Sequence, residues 1–183
     1  MGKLIMWNLV TLDGYFEGPK SWDLAFHQRV WGDDLERFAI EQLESAEGLL
    51  FGRVTYEGMA AYWKTAEGTV ADFMNSLPKL VVSRTLRKPD WNNTGLVSEN
   101  VADTVREAKQ QAKKDLYVFG SANLSETLIE ANLFDEYRIG VVPVILGTGN
   151  PLFKQGLSSQ QLSLVGSDTY QSGCIVLRYV PKQ

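Results

Sequence analysis

The sequence is poor in the groups that most quickly narrow a function. Among 183 residues it holds one cysteine, Cys174, and one histidine, His27. A lone cysteine closes no disulfide within the chain, so the fold must rest on its core, and a reducing cytoplasm is the expected setting. A lone histidine leaves no multi-histidine metal site and no Ser-His-Asp triad with a spare base, and no metal is expected. His27 itself is expected at the surface or on a rim. No apolar run approaches the roughly 18 residues of a membrane span. The amino terminus lacks the charged-then-apolar pattern of a signal peptide. Positive charge is also short, with 18 Lys and Arg against 22 Asp and Glu and a net charge of −4. That balance argues against a broad nucleic-acid surface.

What is present is ordinary for a globular protein, 44% hydrophobic and 22% charged residues. A single domain over residues 1–183 is expected, with a substantial core. The chain is organised around residues 48–63, GLLFGRVTYEGMAAYW. Leu49, Leu50 and Phe51 form the continuous apolar run of a strand covered on both faces, and Gly52 permits close approach where the chain turns into a helix. Arg53 adds a fixed charge and Thr55 a hydroxyl at the first helical turn. Free N–H groups, a helix dipole, an arginine fork and a hydroxyl together suit a phosphate. A plain strand-to-helix turn with a solvated arginine is the other reading. Similar junctions recur at 79–84, KLVVSR, and at 116–125, LYVFGSANLS. Three strand ends bearing anion-binding groups on one sheet edge suit a long ligand with several phosphates.

Taken in order, residues 3–10 read as a central strand and Asp13-Gly14 as a turn. Residues 15–32 form an aromatic-rich loop, either a mobile wall over a flat ligand or a flap packed on the core. Helical spacing of Leu35, Phe38, Ala39, Leu43 and Ala46 predicts a helix from Asp33, capped by Asp33 or Asp34. Residues 64–77 read as a polar connector and 88–95 as a surface excursion rich in turn formers. Leu96–Ser98 is a short strand, and Val101, Val105, Ala108 and Ala112 mark one face of an outer helix. The strand Leu116–Phe119 leads into a helix through Leu124, Leu128, Ile129 and Leu133. Tyr137–Leu146 reads as a long strand crossing Pro143. Residues 161–170 and 173–180 form an antiparallel hairpin. Repeated strand-helix alternation implies an α/β fold with a mostly parallel sheet.

Thr11-Leu12-Asp13-Gly14, Phe51 to Glu57, Val81 to Thr85, Gly120 to Leu124, Asp135-Glu136 and Pro143 to Gly149 stand in an order that resembles the dihydrofolate reductase-like superfamily. The likeness is closer to the branch containing the reductase domain of bacterial riboflavin biosynthesis proteins. It spans nearly the whole chain and implies a three-layer α/β/α fold that binds NADPH along the strand ends. By position Gly52, Arg53 and Thr55 then serve the pyrophosphate and the adenosine side, and Ser83 with Arg84 the adenosine 2′-phosphate. Gly120, Ser121, Ala122, Asn123 and Leu124 hold the other side of the pyrophosphate. Gly120-Ser121 replaces the paired glycines usual in dihydrofolate reductases, and Ser121 is expected to cap the following helix. The resemblance also singles out Asp13, near the expected nicotinamide, and Glu36, near the position of a substrate-binding carboxylate. Their alternatives are a turn stabiliser and a solvent-facing side chain. The zinc-dependent deaminase domain that often accompanies the riboflavin enzymes has no counterpart here.

The expected function is an NADPH-dependent reductase acting on a pteridine, pyrimidine or related heterocycle. The alternative is a nucleotide-binding or interaction module of the same fold without turnover. A homodimer is expected, built partly from the carboxyl-terminal antiparallel segment, because Val141, Val142, Val144, Ile145, Ile175, Val176 and Leu177 offer more apolar strand surface than one covered face requires.

Overall fold

Apolar runs that alternate with amphipathic helices must bury strands between helical layers, and the chain does so. The computed structural model describes residues 1–182. It runs β1 (Leu4–Thr11), β2 (Tyr15–Glu17), a 3-10 turn (Ala25–Arg29), α1 (Asp33–Ser45), β3 (Ala46–Gly52), α2 (Arg53–Trp63), α3 (Thr69–Ser76), β4 (Lys79–Val82) and β5 (Thr94–Val97). There follow α4 (Val101–Gln111), β6 (Asp115–Phe119), α5 (Ala122–Glu130), β7 (Glu136–Val142), β8 (Asn150–Pro151), β9 (Leu162–Thr169) and β10 (Ile175–Pro181). One sheet has the order β5-β4-β3-β6-β1-β7-β10-β9. Its pairs from β5 to β7 are parallel, whereas β10 runs antiparallel to both β7 and β9.

Alternation along β1 divides the core. Leu4 and Met6 face Val118, Leu124 and Leu128 beneath α4 and α5, and Ile5 faces Leu49, Phe51 and Tyr117 beneath α1 to α3. A third cluster joins Leu9, Phe26, Val142, Val176 and the fully buried Cys174, whose thiol burial pushes up to about 11. The carboxyl-terminal hairpin is barer. β9 is the last strand of the sheet, and Leu164, Val165 and Ile175 are 56%, 57% and 39% exposed.

Four expectations need correction. Residues 64–77 contain α3, because Val70, Ala71 and Met74 share a buried face over two turns too short to stand out in sequence. The segment 88–95 is not wholly superficial. Trp91 is 2% exposed, packs on Phe51 and Tyr56, and donates its indole N–H to Asn75 Oδ1 at 2.7 Å. β7 stops at Val142 instead of crossing Pro143, whose missing N–H cannot continue the ladder. The residue capping α1 is Gly32, not an aspartate; Asp34 instead accepts from Leu35 N and Gln171 N.

Lys79 is buried beside Trp91. Its ammonium donates to the carbonyls of Met74 (2.8 Å) and Leu77 (2.6 Å), closing the carboxyl end of α3 where helix carbonyls lack partners. It has no carboxylate partner among the described residues, and burial pushes the pKa down to about 8.

Candidate active site

Parallel strands deliver their carboxyl ends to one edge, and a cleft of about 980 Å³ opens there across β1, β3, β4 and β6. One end is a cradle made of two helix starts. α2 begins directly after Gly52 and α5 directly after Ser121, and neither has a side-chain cap. Their first-turn N–H groups therefore have no side-chain acceptor, and the positive ends of both helix dipoles meet the cleft. Gly120 and Ser121 are both left-handed, with φ of 60° and 62°. At Gly120 a Cβ would sit 3.1 Å from Thr55 Cγ2, so glycine allows the two helix starts to approach.

Two side chains hold this cradle. Ser121 Oγ accepts from Gly52 N at 2.9 Å and donates to Phe119 O at 3.2 Å, so it ties β3 to β6 and does not cap α5 as expected. Asn8 Oδ1 accepts from Gly120 N at 2.9 Å. Beyond them, Ser83 Oγ accepts from Thr85 N and Leu86 N and shapes the turn after β4. That turn exposes Arg84, which has no ion-pair partner among the described residues. Arg53 is exposed and bonded to Glu57 at 2.8 Å. Lys154 enters from the loop after β8 and contacts Asn123 and Glu126.

The other end is aromatic. Trp7 from β1, Trp63 from α2 and Phe119 from β6 line it together with Ala39 and Gln42 of α1. The loop after β2 is both wall and packed flap: Trp22, Leu24, His27 and Trp31 line the cleft, while Phe26 enters the core. Trp22, at φ 63°, lies against Gly58, where a Cβ would fall 1.8 Å from its ring. His27 is half-buried in this wall; burial pushes its pKa down to about 4, so the ring is neutral near pH 7.

The ten expected cofactor positions, Gly52, Arg53, Thr55, Ser83, Arg84 and Gly120 to Leu124, all line this one cleft. Asp13 and Glu36 are not among its walls. The Asp13 carboxylate accepts from Thr11 Oγ1 (2.6 Å), Gly147 N (2.7 Å) and Leu146 N (3.2 Å). These bonds, led by that from Thr11, hold its pKa below the usual carboxylate range and tie the turn after β1 to the loop after β7. Glu36 lies on α1 one turn before Ala39, which does reach the cleft. Asn8, Gln42 and Lys154 escaped the reading of the sequence, and His27 was read without a role in the site. Asn8 carried a signal: an amide at a fully buried position in an otherwise apolar strand needs a partner. No group of three or more His, Cys, Asp or Glu able to hold a metal ion occurs among the described residues.

Comparison with known proteins agrees with this architecture. Residues 2–176 match the RibD C-terminal domain, and the chain belongs to that family. It is 28% identical over 185 residues to the uncharacterized protein YyaP of Bacillus subtilis (strain 168), covering 97% of this chain and 94% of YyaP. Among solved structures, a putative riboflavin biosynthesis protein from Shewanella sp. PV-4 superposes with a TM-score of 0.81 at 22% identity, over 100% of both chains. The dihydrofolate reductase of Enterococcus faecalis, complexed with NADP(H) and RAB-propyl, gives 0.65 at 13% identity, over 100% of this chain and 98% of the other. The fold is thus dihydrofolate reductase-like, and the family is that of the RibD C-terminal domain.

Proposed function

We propose that the chain is an NADPH-dependent reductase that passes a hydride to a pteridine, pyrimidine or related heterocycle. The observation that carries this reading is the meeting, in one cleft, of two helix starts without side-chain caps and the unpaired Arg84, opposite an aromatic wall. NADPH, when bound, supplies the hydride. The starts of α2 and α5 suit its pyrophosphate, and Ser83 with Arg84 suits the phosphate that distinguishes it from NADH. Asn8 also fits: its Nδ2 is buried in the cleft wall without a partner among the described residues, a donor available to a polar ligand. The NADP(H) complex of a protein sharing this fold supports the same cofactor. A C=N acceptor takes a proton as well as a hydride. Glu17 is the one carboxylate on the walls among the described residues, and it already accepts from Trp22 N and Asn150 Nδ2. A positioned water is the proton source these walls favour.

The test is calorimetric titration with NADPH and NADH, followed by NADPH oxidation across a panel of pteridines and pyrimidines. Saturable NADPH binding with turnover of a panel member is the expected result. NADPH binding without turnover in any condition favours the non-catalytic module instead, and no binding of either dinucleotide overturns the cofactor assignment.

The same reading includes a cytoplasmic homodimer. Val142 and Val176, expected to add uncovered surface, are instead buried in the chain's own core, and the support that remains is the outer edge of β9 with the exposed Leu164, Val165 and Ile175, since a bare apolar strand edge invites pairing. Light scattering at micromolar concentration should give twice the chain mass; one chain mass, unchanged by NADPH, rejects the dimer.

A further inference from the structure

The aromatic end of the cleft contains one polar side chain whose orientation is chemically fixed and whose hydrogen-bonding capacity is half used. Gln42, on the inner face of α1, is 2% exposed and contributes to the cleft wall. Its Oε1 accepts from an Arg138 guanidinium nitrogen at 3.2 Å. A guanidinium only donates, so the amide cannot be reversed. The Nε2 group is left over, buried and without a partner among the described residues.

Arg138 is itself immobilised. It donates to Glu136 Oε1 at 2.7 Å and to the Tyr117 hydroxyl at 2.9 Å, and that hydroxyl meets Ser45 Oγ at 2.9 Å. In the sheet, Trp7 stands between Phe119 on one side and Arg138 on the other. Gln42 is thus held at one end of this row, of which Trp7 and Phe119 line the cleft. Buried N–H groups without acceptors cost stability. A ligand or water that accepts from them recovers that cost.

We propose that Gln42, oriented by Arg138, is the specificity-determining donor at the aromatic end of the cleft, reading a carbonyl oxygen of the substrate directly or through one ordered water. The inference rests on the reductase reading and narrows its substrate class to heterocycles that turn an acceptor edge toward α1. It is the reverse of the mode in which a carboxylate receives amino groups. Among the described residues the one carboxylate on the walls, Glu17, already accepts from Trp22 N of the flap and Asn150 Nδ2 of β8.

The probes are lumazine, a dioxopteridine, and the matching diaminopteridine, each titrated by fluorescence into the protein with and without NADPH. The wild-type protein should bind lumazine more tightly by roughly tenfold or more, the scale of one well-made hydrogen bond. Gln42→Leu should bring the ratio near unity. Gln42→Glu still accepts from Arg138 and leaves an acceptor where Nε2 was, so it should reverse the preference. If the leucine variant fails to fold, the glutamate variant alone decides. A wild-type preference for the diamino probe, a ratio unchanged by either substitution, or no saturable binding of either probe at millimolar concentration overturns the proposal. NADPH titrated into the same samples separates the two readings. Normal NADPH binding with an unresponsive ratio removes Gln42 and leaves the reductase; a responsive ratio without NADPH binding removes the cofactor and leaves Gln42.

Discussion

The two ends of the cleft are built from different materials. The cradle is backbone and small side chains: two helix starts, Gly52, Gly120, Ser121 and Ser83, with arginines on the outside. The aromatic end is made of large rings and neutral amides drawn from β1, the flap, α1, α2, α3 and β6. A phosphate is recognised by N–H groups and charge that any strand-to-helix junction can supply within a few residues. A flat, uncharged ring has no such handle, and its site must be assembled from surfaces of several elements. Charge recognition here is local, and shape recognition is a property of the tertiary fold.

The hardest blow to this contrast would fall behind the cradle. Trp91 backs the β3–α2 junction through Phe51 and through Tyr56, whose hydroxyl accepts its backbone N–H at 2.8 Å. Trp91→Ala should cost about 3–5 kcal/mol of stability, the usual range for emptying a large aromatic site. Urea unfolding measures it. A loss below about 1 kcal/mol would mean that the junction supports itself.

The opposite end is sharpened by pH. His27 titrates near its ordinary 6.5 when unfolded but only at about 4 in the fold. Between these values the unfolded chain binds the proton and the native one does not. Stability from this residue is therefore complete above pH 6.5 and lost progressively as pH falls toward 4, by roughly 3 kcal/mol at most. His27→Gln should flatten that limb of a thermal-stability profile, leaving the carboxylate-driven loss at lower pH. An unchanged profile would show that the ring takes up its proton in the native wall as it does in the unfolded chain.

The smallest expected effect separates the ends most selectively. Arg84→Ala should weaken NADPH more than NADH by roughly 1–3 kcal/mol, the scale of one charge-assisted contact, with little change in stability. Titration with both dinucleotides measures it. Equal losses for the two would move the 2′-phosphate away from Arg84.

How much could be read in advance follows the same division. Gly52-Arg53, Ser83-Arg84 and Gly120-Ser121 each declared themselves within a few adjacent residues, and the hairpin of β9 and β10 within twenty. The partners that complete the site are remote: Asn8 and Gly120 are 112 residues apart, Gln42 and Arg138 are 96. No periodicity or motif links such pairs, because the parallel sheet brings them together only after crossovers have formed. Trp91 was hidden for a related reason. Its neighbours Asn92, Asn93, Thr94 and Gly95 carry strong turn signals, and turn chemistry says nothing of which ring in the turn is swallowed by the core.

The seclusion of Cys174 makes the protein its own stopwatch. The chain's one sulfhydryl lies among Leu9, Phe26, Val142 and Val176, with no surface exposed to a reagent. An alkylating probe can reach it only when β10 parts from the flap and the carboxyl end of β7. With no second thiol to confuse the count, the labelling rate would time that separation alone, and its slowing by a bound ligand would report how firmly the aromatic end closes.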